Sequence, residues 1–186
     1  MELSLFIVAQ ALYFMLPAYV SNAAPVVAAR LNILKSLAFP LDRNRKLNGE
    51  SIFGESKTAR GFFVGISSAV IVALIQHLIY INTKDHSIYL LDYNLFNSIL
   101  IGFLLGTGAL VGDLIKSFIK RRVGKKSGQS WPIADQIDYP LGSLIFISII
   151  FIPSVSHTIT IIILSMMLSL LANISAYFLG IKKVWW

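Results

Sequence analysis

Apolar residues fill the chain in long runs that charged residues interrupt at only a few places. No Asp, Glu, Lys or Arg occurs in the ranges 3–29, 61–83, 93–112 and 139–181. Each of the first three runs is long enough for one helix across the hydrocarbon core of a bilayer. The fourth is long enough for two helices, and Pro153 followed by Ser154 indicates a turn between them. The pattern therefore predicts five transmembrane helices.

The predicted protein is an all-α integral membrane protein that forms a single membrane domain over residues 1–186. Its helices are expected at roughly 3–25, 61–83, 93–115, 135–153 and 157–181, and its two large loops at roughly 26–60 and 116–134. The composition agrees with this, because 56% of the 186 residues are hydrophobic and the mean hydropathy is +0.73. A soluble domain of this size has about half apolar residues. The absence of cysteine excludes disulfides and thiolate metal sites.

The distribution of basic residues predicts the orientation of the chain in the membrane. Of the 16 Lys and Arg residues, all but Lys84 fall in the two large loops or the C-terminal tail. The positive-inside rule places those segments in the cytoplasm, with the N-terminus outside and the C-terminus inside. The formal net charge of +7 suits an anionic membrane surface or an anionic substrate, and does not by itself indicate nucleic acid. Function is therefore expected on the cytoplasmic face.

Three of the nine acidic residues stand at the predicted inner ends of helices three and four: Asp113, Asp135 and Asp138. Asp135 and Asp138 are three residues apart, so one helix face can present both carboxylates. A few carboxylates together with substrate phosphates are the ligands that Mg²⁺ prefers. The same acids could instead pair with neighbouring lysines and arginines in an interfacial network. Spacing alone leaves both interpretations open.

Basic residues fill the loop between these acids, and a second basic segment precedes the second predicted helix. Gly124 and Gly128 in the first of these loops allow backbone amides to approach phosphates, although any inner loop also collects cations for topology and lipid headgroups. The earlier segment, G-E-S-K-T-A-R-G at 54–61, is not a P-loop because its glycines are wrongly spaced. Lys57 and Thr58 at a helix start remain candidates for a phosphate contact.

The glycines of the third predicted helix are spaced for close helix packing. Gly102 and Gly106 form one pair four residues apart, and Gly108 and Gly112 form a second. No Ser-His-Asp arrangement and no histidine cluster occurs in the sequence, so hydrolysis by an activated nucleophile has no support.

The run from Gly112 to Asp138 resembles the signature of the CTP-dependent phosphatidate cytidylyltransferases. That signature has G-D, then S-x-x-K-R, a Gly/Lys-rich loop and H-G-G-x-x-D-R-x-D. Here the H-G-G is missing and the final acids read D-Q-I-D. This ending and the segment at 54–61 are similar to the archaeal branch of CDP-archaeol synthases, which carries D-Q-[LI]-D and G-D-G-K-T-x-R-G. Glu55 stands where that branch has Asp, so the role of Glu55 is left open.

The resemblance implies a Mg²⁺-dependent cytidylyltransferase in the cell membrane, with its active site facing the cytoplasm. It would make CDP-archaeol (unsaturated) and pyrophosphate from CTP and 2,3-di-O-geranylgeranylglyceryl phosphate, an isoprenoid ether lipid that enters from the inner leaflet. The implied metal ligands are Asp113, Asp135 and Asp138, which with Lys120 form the implied catalytic set. The implied contacts to CTP and the lipid phosphate are Lys57, Thr58, Ser117, Lys120, Arg121, Lys125 and Lys126.

Two alternatives to this function are kept. One is the same chemistry on an acyl lipid, phosphatidate, because nothing in the sequence separates the lipid tails. The other is a small Mg²⁺ or anion transporter, which predicts acids deep within several helices. No nucleic-acid partner is expected, and the choice between a monomer and a homodimer is open.

Overall fold

Five α-helices make up almost all of the regular structure in the computed structural model, which describes residues 5–126 and 129–178 apart from the side chain of Ala176. They are α1 (Leu5–Arg30), α2 (Ala59–Asn82), α3 (Leu95–Arg122), α4 (Ala134–Ile147) and α5 (Val155–Phe178). The prediction of an all-helical protein is confirmed. The loop between α1 and α2 also holds a 3₁₀ turn at Lys35–Leu37 and a small antiparallel hairpin of β1 (Lys46–Leu47) and β2 (Glu50–Ser51).

Helices α1, α2, α3 and α5 are long and apolar enough to cross a membrane, and they are the four such helices in the described ranges. Helix α4 is shorter. Its 14 residues give a length of about 21 Å, less than the roughly 30 Å of a hydrocarbon core. A turn and a segment without regular secondary structure continue the chain from Ile147 to the start of α5. The structure therefore supports a multi-pass membrane protein with four full-length apolar helices and one short one.

Helix α3 is longer than the charge pattern predicts. It continues past the expected boundary at 115 to Arg122, so Lys116, Ser117, Lys120 and Arg121 lie on the helix rather than in a loop. The predicted loop at 116–134 is accordingly reduced to the residues between α3 and α4. The prediction used the end of the uncharged run as the end of the helix. Charged side chains continue the helix here because partners from other elements neutralise them.

Glycines let α3 pack closely against α2 on one side and α4 on the other. A Cβ atom at Gly106 would lie 2.5 Å from the Cβ of Ala69 in α2. A Cβ atom at Gly142 of α4 would lie only 2.1 Å from the carbonyl oxygen of Gly108, so the two backbones touch. The predicted close packing at both glycine pairs of α3 is confirmed. Side chains of α1, α3, α4 and α5, including Phe14, Leu105 and Ile161, complete the apolar core.

The two ends of the helix bundle differ in character. At one end Gln10 of α1 donates from Nε2 to the Ser87 carbonyl at 2.8 Å, and its Oε1 lies 3.0 Å from His157 Nε2 of α5. At the other end Lys57 contacts Asp113, and α4 begins close to that contact. Helix α4 and the segment after it therefore lead from the charged end of the bundle to the end that holds Gln10.

Candidate active site

Contact between the backbones of α3 and α4 brings the acidic residues of the two helices together. A Cβ atom at Gly112 would lie 2.2 Å from the carbonyl oxygen of Asp138, so only glycine fits there. Asp113 follows Gly112 directly, and its carboxylate faces the first turns of α4, which carry Asp135 and Asp138. The glycine spacing that the sequence shows is thus what places the three carboxylates next to one another.

Lys116 lies at the centre of these carboxylates. Its Nζ atom is 3.0 Å from Asp113 Oδ1, 3.0 Å from Asp135 Oδ1 and 2.6 Å from Asp138 Oδ2. The lysine side chain is 14% exposed and that of Asp138 is 6% exposed, so these interactions are largely withdrawn from water. Lys116 is not among the site residues predicted from the sequence. Its position one helical turn after Asp113 was the available signal.

Two further lysines complete the ionic cluster. Lys57, from the segment before α2, contacts the second oxygen of Asp113. Lys120 donates to both oxygens of Asp135, at 3.0 and 3.2 Å, and also to the Gln129 carbonyl. Three carboxylates and three ammonium groups thus form one connected network. Since removing one partner from such a buried network leaves an uncompensated charge, each member depends on the others.

Backbone pairing and a helix cap hold Lys57 in place. Thr58 is the N-cap of α2, and its hydroxyl oxygen accepts from the Gly61 amide at 3.1 Å. The carbonyl of Lys57 accepts from the Leu41 amide at 2.8 Å, next to a bridge between Pro40 and Thr58. The Thr58 side chain, predicted to contact a phosphate, therefore caps the helix in this structure. Its effect on the site is to fix the direction of the neighbouring Lys57.

A strained turn leads into α4 and fixes Asp135. Ile133, just before the helix, has φ of 70° and ψ of −57°, a positive-φ conformation that β-branched residues rarely adopt. The Asp135 carboxylate reaches back and accepts from the Trp131 amide at 2.6 Å. Asp135 is therefore held both by its own loop and by two lysines of α3. Such strain persists where the surrounding contacts determine the conformation.

Beside the ionic cluster lies an open cavity of about 510 Å³ between the end of α3 and the β1–β2 hairpin. Its charged lining consists of Asp42, Lys46, Glu50, Glu55, Arg121 and Lys126. Arg121 is 6% exposed and donates to the Lys126 carbonyl at 3.0 Å. Its Nε atom is buried and has no hydrogen-bond partner within the described part of the chain. The cavity is large enough for a small ligand and its charges are mixed.

Two residues stabilise the side of the cavity that the loop between α1 and α2 forms. Neither was selected from the sequence. Asp42 is 7% exposed, and its carboxylate accepts from the amides of Asn44 and Phe53, each at 3.0 Å. Arg122 donates to the carbonyls of Leu47 and Ser51, each at 2.7 Å, and so ties the hairpin to the end of α3. The local signal for Asp42 was an acid followed two residues later by Asn in a turn-rich segment.

The remaining residues predicted to contact CTP or the lipid phosphate lie near the ionic cluster or the cavity. Ser117 is buried on α3, one residue from the central lysine. Lys125 is half-buried after the end of α3 and its amide donates to the Lys120 carbonyl at 2.9 Å. Lys126 is exposed at the rim of the cavity. The structure thus brings Lys57 and Lys120 into the ionic cluster and places Arg121 and Lys126 at the cavity.

The carboxylates predicted to bind metal are already paired with lysines in this structure. Within residues 5–126 and 129–178, no group of three or more His, Cys, Asp or Glu side chains is arranged to hold a metal ion. The three predicted ligands, Asp113, Asp135 and Asp138, instead face one ammonium group, that of Lys116. Their oxygen donors nevertheless suit a hard divalent cation, and they already converge on a single cationic point.

Comparisons with known proteins find the same family over almost the whole chain. A family model described as CarS-like, CDP-archaeol synthase, matches residues 4–186. A CDP-archaeol synthase of Methanoculleus marisnigri is 41% identical over 180 residues, which cover 92% of this chain and 100% of that protein. One from Methanococcus maripaludis is 38% identical over 178 residues, 95% of each chain.

A solved structure extends the agreement to three dimensions. It is described as an intramembrane enzyme for archaeal membrane lipids biosynthesis, and it is similar to this chain with a TM-score of 0.72 and 28% sequence identity. The similarity covers 88% of this chain and 92% of that chain. These matches define a cytidylyltransferase of the EC 2.7.7 type, and its four long apolar helices are those of a multi-pass membrane protein. The chain belongs to the CarS-like CDP-archaeol synthase family.

Proposed function

We propose that this enzyme transfers the cytidylyl group of CTP to 2,3-di-O-geranylgeranylglyceryl phosphate in a Mg²⁺-dependent reaction. The observation that carries the proposal is the cluster of three carboxylates and three ammonium groups at one end of the bundle, next to the cavity of about 510 Å³. The names of the relatives support the product, CDP-archaeol. Acids gathered at one end of the bundle, rather than along several helices, favour this reaction over ion transport.

The proposed chemistry needs little from the protein beyond positioning and charge. An oxygen of the lipid phosphate attacks the α-phosphorus of CTP, the bond to the bridging oxygen of the β-phosphate breaks, and pyrophosphate leaves. A phosphomonoester is already nucleophilic near neutral pH, so no strong general base is required. The enzyme has to bring two polyanions together and stabilise the charge on the leaving group. Closely grouped lysines suit both tasks.

Cytidylyltransferases generally use a divalent metal ion, and Asp113, Asp135 and Asp138 are the residues that would hold Mg²⁺ here. When bound, such an ion would supply positive charge that offsets the negative charge of the phosphate groups during transfer. The convergence of these carboxylates on Lys116 supports the assignment, because it shows that all three can face one cation. The backbone contact between Gly112 and Asp138 keeps their spacing.

The phosphate contacts are assigned to cations on either side of the carboxylates. Lys57 and Lys120 already lie at the carboxylates, where they would neutralise phosphate oxygens during transfer. Arg121 and Lys126 line the adjoining cavity, in which we place CTP. Lys125 and Ser117 stand next to these residues on and after α3, and Thr58 acts by orienting Lys57. One chain holds all these residues, so the proposal requires no second copy.

Five crossings of the cell membrane are proposed for the single domain of residues 1–186, with the active site facing the cytoplasm. The contacts of Gln10 with Ser87 and His157 support this number, since they place the start of α5 at the end of the bundle opposite to Asp135. Helix α4 with the segment after it therefore makes the fourth crossing. The positive-inside distribution supports an N-terminus outside and a C-terminus in the cytoplasm.

The lipid is proposed to enter sideways from the inner leaflet. A shallow, mainly apolar groove of about 270 Å³ runs between α4 and α5. Leu141, Ile145, Ser148 and Ile152 line it from the side of α4. Leu141 and Ile145 follow Asp138 at helical spacing on α4, so an isoprenoid chain in the groove would leave its phosphate near the carboxylates.

The function is tested with purified protein, labelled CTP, the ether lipid phosphate and Mg²⁺. We expect labelled CDP-lipid to form and to be lost when a chelator removes the metal. The variants Asp113→Asn and Asp135→Asn should lose activity by a factor of about 100 or more, as is typical when a charge-stabilising group is removed. Asp85→Asn, a change of an exposed acid at the opposite end of the bundle, serves as the matched control.

Absence of CDP-lipid from the wild-type protein, or full activity in both cluster variants, would refute the proposed function. Competition between the ether lipid phosphate and phosphatidate then decides the lipid class. A preference for phosphatidate would replace the ether lipid by the acyl substrate and leave the assigned residues unchanged.

A further inference from the structure

Lys116 differs from the other two lysines of the ionic cluster in the number of acids that it contacts. Lys57 pairs with Asp113, and Lys120 pairs with Asp135. Within the described ranges Lys116 is the cation that contacts all three acids, at 2.6 to 3.0 Å. It therefore occupies the point at which the three carboxylates are directed.

A cation at that point is an electrostatic requirement of the fold. Three carboxylates pressed together by the contact of α3 with α4 repel one another, and desolvation adds to the cost because Asp138 is only 6% exposed. In the absence of any other cation, Lys116 supplies the compensating charge. The lysine thus stabilises the arrangement of acids that a divalent ion would use.

The same position cannot hold an ammonium group and a divalent ion together. Two cations within about 3 Å of the same oxygens repel strongly in a site with little water. Lysine carries a compact charge on a flexible four-carbon stem, so it can withdraw without movement of the helix. Asp113 and Asp135 would keep their outer contacts with Lys57 and Lys120 while the central cation is exchanged.

We propose that Lys116 is an exchangeable counter-cation that competes with the divalent metal ion for the three carboxylates. It holds the acids in place before the metal arrives and lowers the affinity of the site for metal in the absence of nucleotide. The inference rests on the metal-dependent function proposed above. It adds a positioning role for a residue that the sequence did not select.

The test compares Mn²⁺ binding by the wild-type protein and by Lys116→Met, using paramagnetic resonance without nucleotide or lipid. The methionine side chain fills a similar space without charge. We expect the variant to bind Mn²⁺ about tenfold more tightly, a change typical of residues coupled in one network. Without metal it should melt at a lower temperature than the wild type, and Mn²⁺ should raise its melting temperature by more.

The direction of the affinity change separates this role from a merely structural one. If Lys116 only supported the fold, its removal would weaken or leave unchanged the binding of Mn²⁺, and either result would overturn the proposal. Lys35→Met is the matched control, since Lys35 is exposed in the loop after α1 and has the same charge. An equal gain in affinity in both variants would mean that net charge alone is responsible, which also contradicts the proposal.

A measurement on the wild-type protein keeps the test valid if Lys116→Met does not fold. An amine-acylating reagent and mass spectrometry report the reactivity of each lysine with and without Mn²⁺. Release of Lys116 should increase its labelling several-fold while Lys35 stays unchanged. Unchanged labelling of Lys116 in protein that has bound Mn²⁺ would refute the exchange.

Binding of Mn²⁺ in the presence of CTP is measured in parallel, because it separates the two proposals. A wild-type protein that binds no Mn²⁺ even with CTP would contradict the metal-dependent function, and the inference would fall with it. A wild-type protein that binds Mn²⁺ with CTP, together with no gain in Lys116→Met, would overturn the inference alone.

Discussion

At the level of single residues, the side chain of Asp42 stabilises the backbone of the hairpin loop. Its buried carboxylate accepts from the backbone amides of Asn44, Phe53 and Gly54. Leaving such amides without an acceptor costs about 1–3 kcal/mol. Asp42→Ala should therefore loosen the loop and weaken CTP binding by about tenfold, a factor that corresponds to about 1.4 kcal/mol. Titration calorimetry with CTP measures this change.

The control for that prediction uses a similar turn at the opposite end of the bundle. Asp85 accepts from the Ser87 amide at 2.9 Å, and it is exposed. Asp85→Ala therefore removes the same kind of contact without touching the cavity. Equal CTP affinity in Asp42→Ala and the wild type would show that the loop does not shape the nucleotide site.

Charge type and family pattern coincide at three of the residues predicted from the sequence to form the site. Lys57, Asp113 and Asp135 were selected, and the structure places them in one cluster. Lys116 was not, because several cations follow Asp113 and spacing does not show which one will face a second helix. The crossing of α3 and α4 decides that, through contacts far apart in the chain.

At the level of secondary-structure elements, the site depends most on the close crossing of α3 and α4. Gly142→Ala would place a methyl carbon 2.1 Å from the Gly108 carbonyl oxygen, a backbone atom that cannot move alone. The helices would have to separate, at a cost of roughly 1–3 kcal/mol for overpacking. Asp138 would then move away from Asp113. We expect a lower melting temperature and a marked loss of CDP-lipid synthesis.

A second glycine-to-alanine change tests whether the crossing, rather than the substitution itself, is responsible. At Gly61 in the first turn of α2, a Cβ atom would meet its nearest neighbours at 3.4 Å, an ordinary contact distance. Alanine also favours a helix by up to about 1 kcal/mol over glycine. Gly61→Ala should melt at or above the wild-type temperature. A similar loss of stability and activity in Gly61→Ala and Gly142→Ala would show that the close crossing of α3 and α4 is not the cause.

The lengths of the elements were harder to predict than their number. Uncharged runs mark the part of a helix that lies in apolar surroundings, and they end where the first charge occurs. Helix α3 continues to Arg122 because its charges meet partners on α4 and on the hairpin. Helix α4 ends at Ile147 although the uncharged run continues, so apolar composition alone does not specify a helix.

Across the whole molecule, hydropathy and the distribution of basic residues predict a helix bundle with one basic end and one nearly neutral end. The helix bundle in the structure has two such ends. The contacts of Gln10 with Ser87 and His157 gather one set of loops at a nearly neutral end. The ionic cluster and the cavity lie at the other end, where most of the basic residues are. The position of the site at one end follows from composition, whereas its internal geometry depends on the glycine contacts between helices.

The orientation in the membrane can be tested with unusual ease because the chain contains no cysteine. Single cysteines are introduced as Lys35→Cys, Asp85→Cys and Ser154→Cys, at exposed positions in three different connecting segments. A maleimide that cannot cross membranes should label the second and third variants in intact cells, because both positions lie at the end of the bundle that is proposed to face outward. Lys35→Cys should react only after permeabilisation, since its loop also carries Lys57 and is proposed to lie on the inner side. Labelling of Ser154→Cys from the inside alone would mean that α4 does not complete a crossing, and the short helix would then be re-entrant.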